Sequence, residues 1–117
     1  MAVSAKEFRR IALSFPGSEE RSHMDHPDFR VRNKIFATLG YPDDGWGMVK
    51  LSSREQMQFV EAEPQIFVPV QGAWGRQGAT TVRLNAVGQT NLRRALTAAW
   101  RNRAPKRLAQ QFGSFPD

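Results

Sequence analysis

A glycine-rich segment carries two side chains suited to contact with a polyanion. It runs from Gly72 to Gly78 and contains Trp74 and Arg76. A tryptophan ring can stack on a base or wedge into a groove, and an arginine can bind a phosphate. The segment lacks the Gly-Lys-Ser/Thr ending of a phosphate-binding loop and leads into no predicted helix, so it predicts no nucleotide site. Two interpretations stay open: a flexible wing with both side chains at its tip, or a Trp74 ring that folds back to cap the core, which is the more common arrangement.

A predicted hairpin carries three more basic side chains, Arg30, Arg32 and Lys34. Arg30 and Arg32 alternate with apolar residues, so we expect them on one strand, pointing the same way and about 7 Å apart. The chain then turns at Asn33, a residue type that tolerates positive φ. This hairpin is the second candidate contact with a polyanion.

The third basic group lies on and after the last long predicted helix. The group comprises Arg93, Arg94, Arg101, Arg103, Lys106 and Arg107, and the candidate contacts within it are Arg94, Arg101, Lys106 and Arg107. Arg94 and Arg101 are seven residues apart and are expected to share a helix face, with Thr97 between them. The pattern of this helix does not resemble a base-reading recognition helix, in which an Asn or Gln is poised beside an Arg to read base edges. We therefore expect contact with the phosphate backbone and weak sequence specificity.

The charge is placed unevenly along the chain. The protein has 17 Lys and Arg against 11 Asp and Glu, a net charge of +6. Residues 1–63 hold nine basic and ten acidic side chains, whereas residues 64–116 hold eight basic and no acidic ones. No nearby carboxylate cancels the positive field of the second half. Such asymmetry favours a polyanionic partner, most often nucleic acid, although a solvated helix face also explains part of it.

The residue types that commonly carry catalysis or bind metals occur without the spacing that these functions need. His23, Asp25 and His26 lie close together, but a turn with these three residues lacks a fourth ligand and the hydrogen-bond partners that hold a metal site. The paired carboxylates fall in predicted loops or at helix ends, and no Gly-x-Ser-x-Gly motif is present. Cysteine is absent. We expect no catalytic residue, no metal, no cofactor and no enzyme activity.

The elements that position these groups follow from capping boxes and hydrophobic periodicity. We predict helices at about 5–14, 53–63 and 87–103. The predicted strands cover about 19–23, 28–32, 35–39, 46–51, 66–70 and 79–84. Pro69 makes the fifth of these an edge strand. The order α-β-β-β-β-α-β-β-α predicts an α+β fold in which helices pack on one face of an antiparallel sheet, with the other face partly open.

Length and composition fit one globular domain. The chain has 117 residues, of which 40% are hydrophobic and 24% charged. We place the domain at residues 4–110 and a C-terminal tail at 111–117. No apolar run reaches the roughly 18–20 residues of a membrane span, and the first residues lack the apolar region of a secretory signal. We therefore expect a cytoplasmic monomer without membrane contact.

Two motifs lie in the first third of the chain: residues 13–20 read LSFPGSEE, and residues 26–37 read HPDFRVRNKIFA. They resemble the LPG-x-EE opening and the HP-x-F-x-V-x-x-K-x-FA core of the MmcQ/YjbR family. The later Trp-Gly at 74–75, the strand at 80–84 and the Ala-Ala-Trp at 98–100 resemble its C-terminal half. The resemblance implies an α+β fold of the CyaY or secretion-chaperone type and a double-wing-like DNA-binding role. It supplies no DNA-contacting residues. Many members have a His- or Asn-Lys-rich stretch before the late Trp, where this chain has residues 70–78, so a contact made by that stretch either falls to Arg76 here or is absent.

Three functions compete on these grounds. The leading one is DNA binding through the basic groups. The alternative is a non-enzymatic adaptor that takes a protein or peptide on the open sheet face or along the edge strand at 66–70. The third is a small-molecule or enzyme role in a cleft lined by Tyr41, Trp46, Trp74 and His26, which the sequence supports least. Salt dependence separates the first from the other two.

Overall fold

Two capping boxes start the first two helices, as the sequence predicts. The computed structural model describes residues 2–112, and side chains through residue 110. Ser4 precedes α1 (Ala5–Leu13), and its hydroxyl accepts from the Glu7 amide while the Glu7 carboxylate accepts from the Ser4 amide. Ser52 and Glu55 make the same reciprocal bonds at the start of α2 (Ser53–Ala62). Each cap satisfies amides that a helix otherwise leaves without partners.

Within residues 2–112, six strands form an antiparallel sheet in the order β1-β2-β3-β4-β6-β5. The strands are β1 (Ser18–His23), β2 (His26–Val31), β3 (Lys34–Leu39), β4 (Trp46–Lys50), β5 (Phe67–Pro69) and β6 (Ala79–Arg83). The other helices are α3 (Ala73–Arg76), α4 (Gln89–Arg103) and α5 (Lys106–Phe112). The predicted α+β class, antiparallel sheet and element order are confirmed, and α3 and α5 are additional short helices.

Two-residue turns join the first three strands. Met24 and Asp25 connect β1 to β2, and Arg32 and Asn33 connect β2 to β3; all four have positive φ, between 49° and 68°. Two left-handed residues in succession match the right-handed twist of an antiparallel pair. The prediction of a turn at Asn33 is confirmed. The placement of Arg32 on the strand is wrong, because Arg32 is itself a central residue of the turn.

The main core lies between one sheet face and the helices α1 and α4. Phe29, Val49 and Val82 of three different strands are fully buried there. Trp100 of α4 is also fully buried and stacks on Phe15, with ring centroids 5.7 Å apart. Its indole nitrogen donates to the Pro16 carbonyl at 3.1 Å. These contacts fix the C-terminal half of α4 against the connection between α1 and β1.

The opposite sheet face, called the outer face below, is described by the alternate residues of the neighbouring strands β4 and β6. It carries Trp46, Met48 and Lys50 of β4 and Thr81 and Arg83 of β6, which the strand register sets side by side. Met48 is only 5% exposed. It forms a small second cluster together with Val70, Ala79 and the ring of Tyr41. The outer face is therefore covered by side chains rather than by a helical layer.

The glycine-rich segment differs from the sequence prediction, whereas the edge strand agrees with it. The glycine-rich segment is not a loop throughout, because residues 73–76 form the single helical turn α3. The predicted edge strand at 66–70 is confirmed as β5, which pairs only with β6. The predicted boundary between domain and tail falls within α5, and residues 113–117 lie outside the described residues.

Candidate nucleic-acid interface

Chain direction brings most of the basic segments to one end of the sheet. At this end β2 turns into β3, β4 ends, β6 begins, and α4 passes into α5. We call it the basic end. Its cationic residues are Arg32, Lys34, Lys50, Arg54, Arg76, Arg101, Arg103, Lys106 and Arg107. They come from six different segments, so only the fold assembles them.

Hydrogen bonds hold the end of α4 against this end of the sheet. The side-chain amide of Asn102 donates to the Lys50 carbonyl at 3.1 Å and to the Glu55 carboxylate at 2.9 Å. The side chain of Leu108 on α5 packs near Gly17, next to Val31 at the end of β2. The C-terminal turn of α4, with its cations, therefore lies beside the β2–β3 hairpin and the end of β4. A helix C-terminus also favours cations in its last turn.

The short helix α3 is fixed to the same end by α2. The Gln56 side-chain amide donates to the carbonyls of Gly75 and Ala79, at 2.9 and 3.0 Å. A Cβ on Gly75 would lie 1.5 Å from the Val70 carbonyl oxygen, so the backbone passes too closely for any other residue. The expectation of a flexible wing is wrong in this respect, because α3 is a packed turn.

Trp74 and Arg76 nevertheless project from α3. Trp74 is 56% exposed, so its ring does not fold back to cap the core. The Lys50 ammonium lies 5.1 Å from the centroid of this ring. Burial, reinforced by the charge of nearby Arg103, lowers the pKa of Lys50. Because burial and the charge of Arg103 both disfavour the Lys50 ammonium, an anion placed beside Lys50 would stabilise it.

Arg30 does not join the basic end as a free cation. Its Nε donates to Asp28 Oδ1 at 2.8 Å and its Nη2 to Asp28 Oδ2 at 3.1 Å. This hydrogen bonding raises the pKa of Arg30. Arg32 stands in the turn beyond it, so the two side chains do not point the same way along a strand. The hairpin therefore offers Arg32 and Lys34, both exposed, as its available cations.

Asp28 forms a buried polar centre under the β1–β2 hairpin. Its side chain is fully buried, and its Oδ2 lies 2.7 Å from Nδ1 of His23 in addition to its Arg30 contact. Burial alone would raise the pKa of the carboxyl, but the hydrogen bonds from Arg30 and His23 and their charges outweigh it and lower the pKa. This group stabilises the hairpin, and it occupies Nε and Nη2 of Arg30, which a ligand would otherwise contact.

The α4 candidates divide between the basic end and the helix middle. Arg101 lies in the exposed last turn, and Lys106 and Arg107 are exposed at the start of α5. Arg94 is exposed but lies about 10 Å back along α4, from the helix rise. Thr97 is 7% exposed, so the surface between Arg94 and Arg101 is not a continuous polar face. Arg94 is therefore the α4 candidate that does not lie at the basic end.

Acidic side chains are sparse and occupied at the basic end. Glu55 accepts from the Ser52 amide and from Asn102, and Glu19 accepts from Arg21 at 3.0 Å. Glu20 is paired with Arg9, and Asp25 in the β1–β2 turn and Asp43 and Asp44 in the β3–β4 loop lie at the far end of the sheet. The charge is thus separated along the strand direction, which creates a field that attracts polyanions to one end.

Sequence reasoning missed two cations of the basic end, Lys50 and Arg54. Both belong to the half of the chain in which acidic and basic residues balance, so a count along the sequence gives no signal. Their place at the basic end follows from β4 ending, and α2 beginning, beside the start of β6. Within residues 2–110, no three His, Asp or Glu side chains gather in a way that could hold a metal ion. The described helices include none that is long and apolar enough to cross a membrane.

Comparison with known proteins settles the family. The family model named YjbR matches residues 13–102, which is most of the domain. The chain belongs to the YjbR family. This YjbR domain is also similar to the crystal structure of the Deinococcus radiodurans protein DR2400, which contains a DUF419 domain. The two share 19% sequence identity and a TM-score of 0.75, over 99% of this chain and 91% of the other. A search of curated proteins finds no match.

Proposed function

We propose that this YjbR protein binds DNA through the basic end, mainly by contacts with the phosphate backbone. The observation that carries the proposal is the convergence of cations from six segments on a surface where Glu55 and Glu19 already have partners. A rigid array of Lys and Arg side chains neutralises phosphates and releases their counterions. Since these contacts read no base edge, the binding is weakly sequence-specific.

The available cations set the expected strength of the salt dependence. The hairpin supplies Arg32 and Lys34, α3 supplies Arg76, and the start of α5 supplies Lys106 and Arg107. If about five of them meet phosphates at once, the log–log slope of affinity against salt is roughly −4 to −5. Arg30 is omitted because Asp28 occupies its guanidinium, and Arg94 because of its distance along α4.

The adaptor alternative has weaker support in the geometry. The edge strand β5 has three residues, and one of them, Pro69, has no amide hydrogen with which to pair a partner strand. The outer face is covered by its own aromatic and long polar side chains rather than by an exposed apolar surface. We also propose a cytoplasmic monomer and assign no catalytic step to the chain.

Fluorescence anisotropy with a labelled duplex of about 25 base pairs, titrated at several salt concentrations, tests the proposal. Arg76→Ala and Lys106→Ala are each expected to weaken binding and to reduce the magnitude of the slope by about one. Lys6→Ala is the matched control, because Lys6 is exposed and starts α1 at the far end of the molecule, where Glu7 contacts Gln89 of α4.

The two parts of the proposal fail separately. Absence of binding at low salt and high protein concentration would refute DNA binding itself. Binding that Lys6→Ala weakens as much as Arg76→Ala does would show that the duplex uses another surface.

A further inference from the structure

The outer face presents two cation–aromatic pairs along one strand. The guanidinium of Arg83 lies 4.4 Å from the centroid of the Trp46 ring, and its Nε donates to the Gln65 carbonyl at 3.2 Å. At the other end of β4, Lys50 lies beside Trp74. The two pairs are about 13 Å apart by the rise of a strand. Each pair combines a planar group with a positive charge on an accessible surface.

Tyr41 completes this arrangement between the pairs. Its ring packs on the small cluster around Met48, and it makes an edge contact with the ring of His26, with centroids 6.2 Å apart. Tyr41 and Trp46 are partly exposed, and Trp74 is mostly so. Planar side chains therefore cover the outer face from the far end of β4 to the basic end.

The charge of this surface selects the kind of ligand. Arg83 is exposed, Lys50 is partly buried beside Trp74, and Arg76 continues the positive surface into the basic end. The strands β4, β5 and β6 contain no Asp or Glu. A ligand that matches both features has flat apolar groups on a negatively charged backbone. A duplex offers the backbone but keeps its bases stacked inside, whereas a single strand offers both.

We propose that a single-stranded nucleic acid binds across the outer face, with bases stacked on Trp74 and on the Arg83–Trp46 pair. This inference rests on the proposed function, because the strand leaves the outer face at the basic end and its phosphates contact Lys50 and Arg76. Antiparallel sheets in RNA-binding modules stack about two or three bases on surface aromatics in the same general way. The surface is sequence-tolerant, since every base has a face that can stack.

The experiment compares three labelled ligands by anisotropy at one salt concentration. They are an oligothymidine of about 12 nucleotides, an abasic strand of the same length, and the 25-base-pair duplex used above. The abasic strand keeps the phosphates and removes the bases. We expect the oligothymidine to bind at least about 5-fold more tightly than the abasic strand, the lower limit for one stacked base.

Variants locate the contact. Trp74→Ala is expected to weaken oligothymidine binding by about 5- to 150-fold, the range for one stacked base, and to change duplex and abasic binding by less than about 2-fold. Trp74→Phe is expected to restore most of the loss, because a phenyl ring still stacks. Met57→Ala removes a comparably exposed apolar side chain from α2 and is the matched control, with no expected change.

The outcomes separate this inference from the proposed function. Equal affinity for oligothymidine and the abasic strand, or an equal loss for all three ligands in Trp74→Ala, would overturn base stacking while leaving DNA binding through the basic end intact. Failure of all three ligands to bind at low salt would overturn both proposals.

Discussion

The buried Asp28 group gives the sharpest test of what holds the β1–β2–β3 hairpins together. Three donors point at its carboxylate: Arg30 Nε at 2.8 Å, Arg30 Nη2 at 3.1 Å and His23 Nδ1 at 2.7 Å. Asp28→Asn keeps the shape of the side chain but replaces one acceptor oxygen by an NH₂ group. In the variant, at least one donor of Arg30 or His23 faces the new NH₂ donor. The negative charge that strengthens the hydrogen bonds from Arg30 and His23 is also lost.

The magnitude follows from the kind of bond that is broken. A hydrogen bond to a charged group contributes about 1.5–3 kcal/mol, and breaking a buried ion pair costs about 3–5 kcal/mol. Because the Arg30 side chain is 19% exposed and reaches some water, we expect the lower part of that range. Asp28→Asn should therefore reduce the free energy of unfolding by about 3 kcal/mol. For a domain of this size that lowers Tm by about 10 °C.

The pH dependence supplies an independent check. The folded-state pKa of Asp28 lies below the ordinary value of 3.8, so folding disfavours its protonation. Its contribution to stability is complete above that value and is lost as pH falls through the lowered folded pKa. The difference between wild type and Asp28→Asn should thus be constant near neutral pH and shrink below about pH 4.

Urea denaturation at a series of pH values measures both effects. Asp44→Asn, an exposed carboxylate in the β3–β4 loop, is the control and should change stability by less than about 0.5 kcal/mol. A loss below about 1 kcal/mol for Asp28→Asn at neutral pH, or a difference from wild type that does not shrink in acid, would refute the reasoning.

Two further variants test the packing that positions the basic end. Gly75→Ala places a Cβ against the Val70 carbonyl oxygen, so we expect the free energy of unfolding, measured by urea denaturation, to fall by at least about 2 kcal/mol. Gly88 has open space around it, so Gly88→Ala is the control and should leave stability nearly unchanged. Trp100→Phe removes the donor to the Pro16 carbonyl and leaves a void beside Phe15, so it should lower the free energy of unfolding by about 2–4 kcal/mol. Trp74→Phe changes an exposed site and is the control. Equal losses of stability in the two variants would contradict this account.

Local sequence signals predicted the elements well where the determining contacts are local. The capping boxes at Ser4 and Ser52 fix helix starts because the bonding partners lie three residues apart. The turn at Asn33 follows from a residue type that tolerates positive φ. Pro69 limits β5 to the sheet edge because it cannot donate a ladder hydrogen bond.

The site was less predictable because its determining contacts are distant in sequence. The glycines around Trp74 indicate a loop, yet residues 73–76 form a short helix. The side-chain amide of Gln56, 19 residues away in sequence, donates to the Gly75 carbonyl of this helix. In the sequence, Arg30 resembles a solvent-exposed cation that could bind a phosphate. The structure excludes it from the site because its guanidinium is paired with buried Asp28. The turn begins one residue earlier than predicted, at Arg32, so Arg32 lies in the turn and not on the strand. Its side chain therefore does not follow the alternation that places strand residues two apart on the same face.

The sequence by itself determined the α+β class, the order of elements, the resemblance to the YjbR family and an excess of positive charge in the second half. Each of these depends on residue types, on spacings of a few residues or on their order along the chain. The tertiary structure alone decided which cations share a surface. Strand order and direction bring Arg32, Lys50, Arg76 and Arg103 to one end of the sheet, although up to 71 residues separate them in the chain. An electrostatic surface depends on distance in space, and a linear sequence does not contain that distance until the sheet is assembled.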